Sequence, residues 1–372
     1  MPPEGSPERI RSWWFGLDER TRADFLAHRA GEIGGLDGLP SVVRDRANRA
    51  VLDDYIDRTG DTDAIRLRTE IDLDGALLLY YRPPSTVGGT DTRVAISFGD
   101  PDHAVNTTVF VPGTASNTRD VKYLRLALDF LRRLRIRADA QTEPGNTATV
   151  YWLGYKSPDR LVPDAMSASY ARDGHPALTR FLKGLRAANR VPDRGDTTLI
   201  GYSYGSVVVG HAAAAADLTD AVDTILVAGS PGLGRHVRSV ADLRFDPARV
   251  LAAASPVDPV VHTPALVHGP NPAHPSFRAR RVATGGVGHL GYGTEGSLAF
   301  LNTVYITLGL LDRVTAPPAW TAGGPAARLG DWFGGRVGRR STSRRTPTAG
   351  PQHPRVRHGA RRPPGRSGPP RG

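Results

Sequence analysis

Apolar side chains recur at helical intervals through the first sixty residues. Trp13, Trp14, Leu17, Phe25 and Leu26 follow that spacing in one segment. A second helix is predicted over 42–56, with Ser41 as its cap and Val43, Ala47, Val51 and Tyr55 on one stripe. The Gly- and Pro-containing stretch 31–40 separates the two. So short a pair cannot bury its tryptophans alone, so a helical hairpin lying on a larger domain is expected, either packed on its core or acting as a lid or docking arm.

Beyond residue 74 the pattern becomes short apolar runs. Residues 76–81 and 93–98 flank the turn-rich PPSTVGGTD and predict an antiparallel hairpin; 106–111 follows as a third strand. Strands and helices then alternate: helix 120–137, strand 147–154, helix 176–189, strand 197–201, helix 206–217, strands 224–228, 250–254 and 278–282, and helix 296–311. Such alternation predicts an α/β fold with a mostly parallel central sheet covered by helices. In such sheets ligands bind in the loops after the strands' carboxyl ends.

Between the buried run at 199–200 and the small-residue segment 206–216 stands Gly201-Tyr202-Ser203-Tyr204-Gly205. A strand, sharp turn and helix of this kind form a nucleophile elbow, which strains the serine backbone and lifts its Oγ above the sheet edge. The positions two before and two after the serine must then be nearly free of side chain. Ser203 is the candidate nucleophile, and the free N–H of Tyr204 at the helix start is an oxyanion donor. The turn Pro112-Gly113-Thr114 after the third strand offers the Thr114 N–H as a second donor.

Asp258 follows the strand at 250–254, stiffened by Pro256 and Pro259, and suits a carboxylate that orients an imidazole. Asp246 and Asp223 compete on chain order, but both precede strands and so fall at the wrong end of the sheet. His289 lies in the glycine-dense loop GGVGHLGY between the last strand and last helix, free to reach the serine. His103 is its rival, while His211 is expected to pack in its helix and His262, His268 and His274 to lie at the surface or the site rim. The order Ser203, Asp258, His289 is the one that an elbow of this kind on a mostly parallel sheet requires.

Composition narrows the picture. With 372 residues and 39% hydrophobic content the chain suffices for one large domain and appendages. It has no cysteine, which excludes disulfides, thiolate metal sites and a cysteine nucleophile. No His/Asp/Glu spacing suggests a metal, and the expected chemistry needs no cofactor. No apolar run approaches a membrane span and the N-terminus has no apolar signal core, so a cytoplasmic protein is expected, a non-standard export route being left open. The net charge of +11 resides in the tail: residues 336–372 hold 11 arginines and no acid, leaving 37 basic against 37 acidic side chains before them. The Arg-, Pro- and Gly-rich segment 316–372 is expected to be disordered, with weak contact to polyanions or an anionic surface.

LDGLPSVVRDRANRAVL (36–52), SFGDPDHAVNTTVFVPGT (97–114), TVYWLGYKSPD (149–159), GYSYGS (201–206) and VAGSPG (227–232) together resemble an actinobacterial α/β-hydrolase family catalogued as a domain of unknown function. The resemblance spans roughly residues 10–312. It implies a Ser-Asp-His hydrolase with a helical N-terminal extension, with Ser203, Asp258 and His289 on the matching positions. Tyr202 departs from the histidine that many hydrolases of this fold carry there, at a position that supports the turn from outside the triad.

The expected organisation is an N-terminal extension over 1–70, a catalytic domain over 71–315 and the tail. The expected activity is cleavage of an ester, thioester or related acyl bond in a small-molecule or lipid-like substrate, through an acyl-enzyme on Ser203. Acyl transfer on the same fold, or a binding module using the hairpin and tail, are the alternatives. Residues 155–170 and 230–238 are expected to wall the site, with Tyr151, Trp152 and Tyr155 as core residues of their strand.

Overall fold

The computed structural model describes residues 1–318 apart from Asp74, Pro192, Asp193 and Asp217. These all fall within one unit, Met1–Phe333. The arginine-rich segment from residue 319 on, with nearly all of the tail expected to be disordered, lies outside the described residues.

One sheet of eight strands organises the molecule: β1 (Leu77–Arg82), β2 (Arg93–Phe98), β3 (Asn106–Val111), β4 (Thr147–Leu153), β5 (Thr197–Tyr202), β6 (Thr224–Ala228), β7 (Val250–Ala253) and β8 (Arg280–Val282). Their spatial order is β1-β2-β4-β3-β5-β6-β7-β8. β2 runs antiparallel to both neighbours and every other pair is parallel. The predicted β1–β2 hairpin is present, but β4 inserts between β2 and β3. β3, β4 and β6 are buried along their whole length, threonines included, because both of their faces are covered.

Alternation along the strands assigns each face its helices. Thr108 Oγ1 lies 2.9 Å from Thr307 Oγ1, and Thr198 Oγ1 donates to the Ile306 carbonyl, so that face meets the last long helix, α10 (Leu298–Thr307). On the other face Gly201 lies against α8 (Gly205–Ala215), where an added Cβ would stand 2.7 Å from Ser206 Cα. α6 (Val121–Asp139) shares the α10 side, with Phe130 packed edge-on against both Phe110 and Phe300. α7 (Ser169–Ala188) packs beside α8. It begins seven residues before the predicted start, with Pro176 inside it, because Ala171, Gly174 and Leu178 continue one buried face across the proline. The short α9 (Ala265–His268) follows β7. β8 is shorter than predicted, since Arg278 turns into the left-handed region at φ 68°.

Ahead of β1 the chain forms five helices rather than a two-helix hairpin: α1 (Pro7–Gly16), α2 (Glu19–His28), α3 (Ala30–Ile33), α4 (Ser41–Thr59) and α5 (Thr62–Leu73). Asp18 breaks the first predicted segment by capping α2, accepting from Thr21 N at 2.7 Å. Ser41 is not a cap. Its N–H and its hydroxyl both donate to the buried carboxylate of Asp102, each at 2.7 Å, so a side chain from the β2–β3 loop caps α4 instead. Ile10, Trp14, Phe25, Ile33, Leu39 and Ala47 form a small core of their own.

α4 also satisfies the free edge of the sheet. Asp45 accepts from Leu78 N at 2.7 Å and Asn48 Oδ1 from Tyr81 N at 3.1 Å, while Asn48 Nδ2 donates to the Leu78 carbonyl at 3.2 Å. Edge strands left unpaired invite association, and here helix side chains occupy the exposed backbone groups of β1. The N-terminal helices therefore pack on the sheet edge.

Candidate active site

The turn after β5 holds Ser203 at φ 54°, in the left-handed region that a non-glycine residue adopts only under constraint. The constraint is visible: Ser203 N donates to the Ala228 carbonyl at 3.0 Å, and Ser206 Oγ donates to the Ser203 carbonyl at 2.6 Å. Gly205 lies so close to β3 that a Cβ there would stand 2.1 Å from the Val111 carbonyl oxygen. With Gly201 pressed on α8, both glycines of the motif are required by close approach.

The structure brings together the three side chains singled out in the sequence. His289 Nε2 lies 3.0 Å from Ser203 Oγ, and its Nδ1 lies 2.9 and 3.0 Å from the two oxygens of Asp258. Asp258 is fully buried. Its Oδ1 accepts from Val260 N at 2.9 Å and its Oδ2 from the Tyr292 hydroxyl at 2.9 Å, so the carboxylate is compensated by donors as well as by the imidazole. The Tyr292 oxygen in turn accepts from Ser255 N at 2.9 Å.

Tyr202 does more than support the turn. Its ring stacks on the His289 imidazole and its hydroxyl donates to the His289 carbonyl at 2.6 Å. Burial, and then the negative charge of Asp258, push the Tyr202 and Tyr292 hydroxyls well above the ordinary phenol range, which keeps both as donors. Gly229, immediately after β6, is a further residue, like Tyr292, whose role was missed in the sequence. At φ 56° it leaves room for the pair, since a Cβ would stand 2.9 Å from Asp258 Oδ2 and 3.2 Å from His289 Cε1. Its signal was the glycine immediately after a buried strand, in line with the elbow.

The rivals sit elsewhere. His103 is exposed and bonded to Asp100 at 2.9 Å. Asp223 pairs with Arg194 and accepts from Thr197 N at the start of β5, and Asp246 accepts from Ala248 N ahead of β7. His211 packs in α8 against His236. His268 is not a rim group: it is buried, with its Nε2 2.6 Å from the Ala165 carbonyl and its ring edge-on to Tyr204. Among the described residues no group of three or more His, Cys, Asp or Glu side chains could hold a metal ion.

Thr114 lies in the loop beside the serine, where Gly113 approaches so closely that a Cβ would stand 2.6 Å from Ser203 Cβ. Tyr155 holds that loop from behind, its hydroxyl donating to the Pro112 carbonyl at 2.6 Å. Tyr204 occupies the position before α8, so its N–H belongs to the unsatisfied helix start. Its side chain is buried away from the cleft and bonds to the Ser167 carbonyl.

Ser203 and His289 open into a cleft of about 520 Å³. Asp159, Arg160, Leu161 and Val162 line it, as expected for 155–170, but residues 230–238 do not. Ser230 is buried behind the elbow, 2.7 Å from Ser206 Oγ, on the α8 side of the sheet. The opposite wall comes from α6 instead, through Tyr123, Leu126, Ala127 and Phe130. Their i, i+3, i+4, i+7 spacing was legible as an apolar stripe, yet nothing in the pattern told that stripe from an ordinary core face. None of residues 1–73 lines the cleft.

A family model described as "Alpha/beta hydrolase" matches residues 88–268, a segment that contains Ser203 and Asp258 and ends before His289. Two uncharacterized proteins of Mycobacterium tuberculosis, from strains CDC 1551 / Oshkosh and ATCC 25618 / H37Rv, are each 30% identical over 298 residues, covering 70% of this chain and 44% of theirs. The chain thus spans less than half the length of these curated relatives. Among solved structures it is similar to the esterase PE8 (20% identity, 59% of this chain and 97% of that one, TM-score 0.38) and to a Trichoderma reesei cutinase in complex with a phosphonate inhibitor (17%, 56% and 77%, TM-score 0.35). At such scores neither likeness bears on this chain's substrate. The matched segment and the eight-stranded, mostly parallel sheet make the conclusion plain: this chain carries an alpha/beta hydrolase domain.

Proposed function

We propose that the protein is a serine hydrolase that cleaves an ester or related acyl bond through an acyl-enzyme on Ser203. The observation that carries this is the continuous chain Ser203 Oγ, His289, Asp258, with spacings of 3.0 and 2.9 Å, at the mouth of an open cleft. His289 Nε2 takes the serine proton as Oγ attacks the carbonyl carbon, and Asp258 holds the imidazole in the tautomer that leaves Nε2 free to accept. The backbone N–H groups of Thr114 and Tyr204 receive the oxyanion, each such donor being worth on the order of a hundredfold or more in rate. The C–O bond to the leaving alcohol then breaks and the proton on Nε2 passes to that oxygen. Water, deprotonated by the same nitrogen, attacks the acyl-enzyme, and the acid leaves as Ser203 regains its proton.

The test is covalent labelling with a fluorophosphonate together with turnover of a soluble ester. Ser203→Ala is expected to lose the label and to lower turnover by several powers of ten. Label retained in that variant would sink the assignment. Supplying an alcohol acceptor and finding a new ester in place of free acid would make the reaction acyl transfer.

A further inference from the structure

The cleft does not stop at the serine. Phe110, Ile200 and Leu226 are paired neighbours on β3, β5 and β6, and all three line it although each side chain is itself buried. Their face of the sheet is the one that meets α10, and the cleft is closed on that side by Phe130 and Ala127 of α6 and by Thr303 of α10. It therefore runs inward from Ser203, between the carboxyl half of the sheet and the α6/α10 layer. The Thr303 hydroxyl is spent on its own helix, donating to the Ala299 carbonyl at 2.8 Å. Charges at the mouth are neutralised locally, Asp159 by Lys156 at 2.7 Å and Arg160 by Asp164 at 3.0 Å. Around the opening, Tyr123, Leu126, Leu161, Val162 and Leu290 are each more than a third exposed. Isolated exposed apolar side chains are ordinary, but five around one opening mark a binding mouth.

Resting on the Ser203 reading, we propose that the substrates are esters of medium or long aliphatic acids, and that the acyl chain lies in this passage between the sheet and α6. A flexible apolar chain matches a passage in which the Thr303 and Tyr202 hydroxyls are already bonded within the protein, and the passage begins at the carbonyl-binding end of the site. The acyl group stays sheltered there while the alcohol departs through the open mouth. A polar or charged acyl group would lose its hydration against Phe110, Ile200 and Leu226 without gaining a partner.

The experiment is a series of p-nitrophenyl esters, acetyl, butyryl, octanoyl and decanoyl, hydrolysed by the full chain, with kcat/KM read for each. Burial of one methylene raises kcat/KM by about fourfold, so burial of even two of the six added methylenes makes octanoyl exceed acetyl by at least tenfold. Ala127→Trp, which fills the passage from α6, is expected to lower the octanoyl-to-acetyl ratio by about tenfold; Ala127→Leu gives a smaller drop should the tryptophan prevent folding. A flat profile, an acetyl optimum, or an unchanged ratio in the folded variants overturns the acyl-chain assignment. So does a gain that appears only when the alcohol side of acetate esters is lengthened. Labelling of Ser203 by a fluorophosphonate in the same samples separates the cases: label with a flat profile refutes the chain assignment alone, whereas no label removes both it and the serine mechanism.

Discussion

The ring of Tyr202 lies 5.1 Å from the imidazole of His289, tilted by 24°, and the same side chain donates a 2.6 Å hydrogen bond to the His289 carbonyl. One residue of the elbow thus fixes both the plane and the backbone of the histidine, across 87 residues of chain. A net hydrogen bond is worth about 1 kcal/mol, so Tyr202→Phe is expected to lower kcat by roughly three- to tenfold with KM nearly unchanged. Tyr202→Leu, which loses the stacking as well, is expected to cost more. Rates should be normalised to phosphonate-titrated sites; a residue that served folding alone would leave the normalised kcat at its original value.

Gly229 gives the sharpest steric prediction. A Cβ there meets Asp258 Oδ2 at 2.9 Å and the Tyr292 ring at 3.1 Å, on a backbone at φ 56° that disfavours any side chain. Gly229→Ala is expected to destabilise the protein by about 1–3 kcal/mol and to lower kcat/KM at least a hundredfold by displacing the carboxylate. Urea unfolding and ester kinetics on the same sample check both; wild-type activity would show that Asp258 tolerates the shift.

The attachment of the N-terminal helices is tested at Asp102. Its buried carboxylate accepts from both the N–H and the hydroxyl of Ser41. Asp102→Ala leaves two buried donors unpaired, at about 1–3 kcal/mol each at most, and is expected to lower the unfolding midpoint while sparing the acetyl-ester kcat. A large loss of kcat without loss of stability would make these helices part of the reaction.

Acid sensitivity follows from His211. Burial, and then the neighbouring His236 and His175, push its imidazole from 6.5 down to about 4. Between those values the unfolded chain binds the proton that the folded chain refuses, so the stability this group contributes is full above about 6.5 and is lost as pH falls toward 4. His211→Asn is expected to flatten the fall in melting temperature across that window. Some slope remains, because burial lowers His175 and His268 in the same sense. An unchanged slope in the variant would place the acid sensitivity elsewhere.

The arginine-rich tail is expected to act apart from the cleft. Deleting residues 319–372 should leave hydrolysis of a soluble ester within about twofold and abolish salt-sensitive retention on heparin, since counterion release weakens steeply with ionic strength. Loss of ester turnover on deletion would tie the tail to the catalytic unit.

What the chain determined by itself is whatever depends on neighbours a few residues apart. The strands expected at 106–111, 147–154 and 197–201, which the structure places within a residue of those bounds, and the glycine-flanked turn at Ser203 were legible, because apolar period, turn chemistry and steric clearance are local. Tertiary structure decided the rest. His289 and not His103 meets Ser203 because the β8–α10 loop closes over the elbow, 86 residues away in sequence. β4 separates β2 from β3 because the crossover through α6 returns the chain to that gap. Asp102, not Ser41, caps α4 across 61 residues, and Tyr202, Tyr292 and Gly229 acquire their roles only once β5, β6 and the last loop are side by side. The apolar stripe of α6 shows the limit most clearly. Its spacing names a buried face, but whether that face meets a closed core or an open cleft depends on the volume left between packed layers, a quantity that no local pattern encodes.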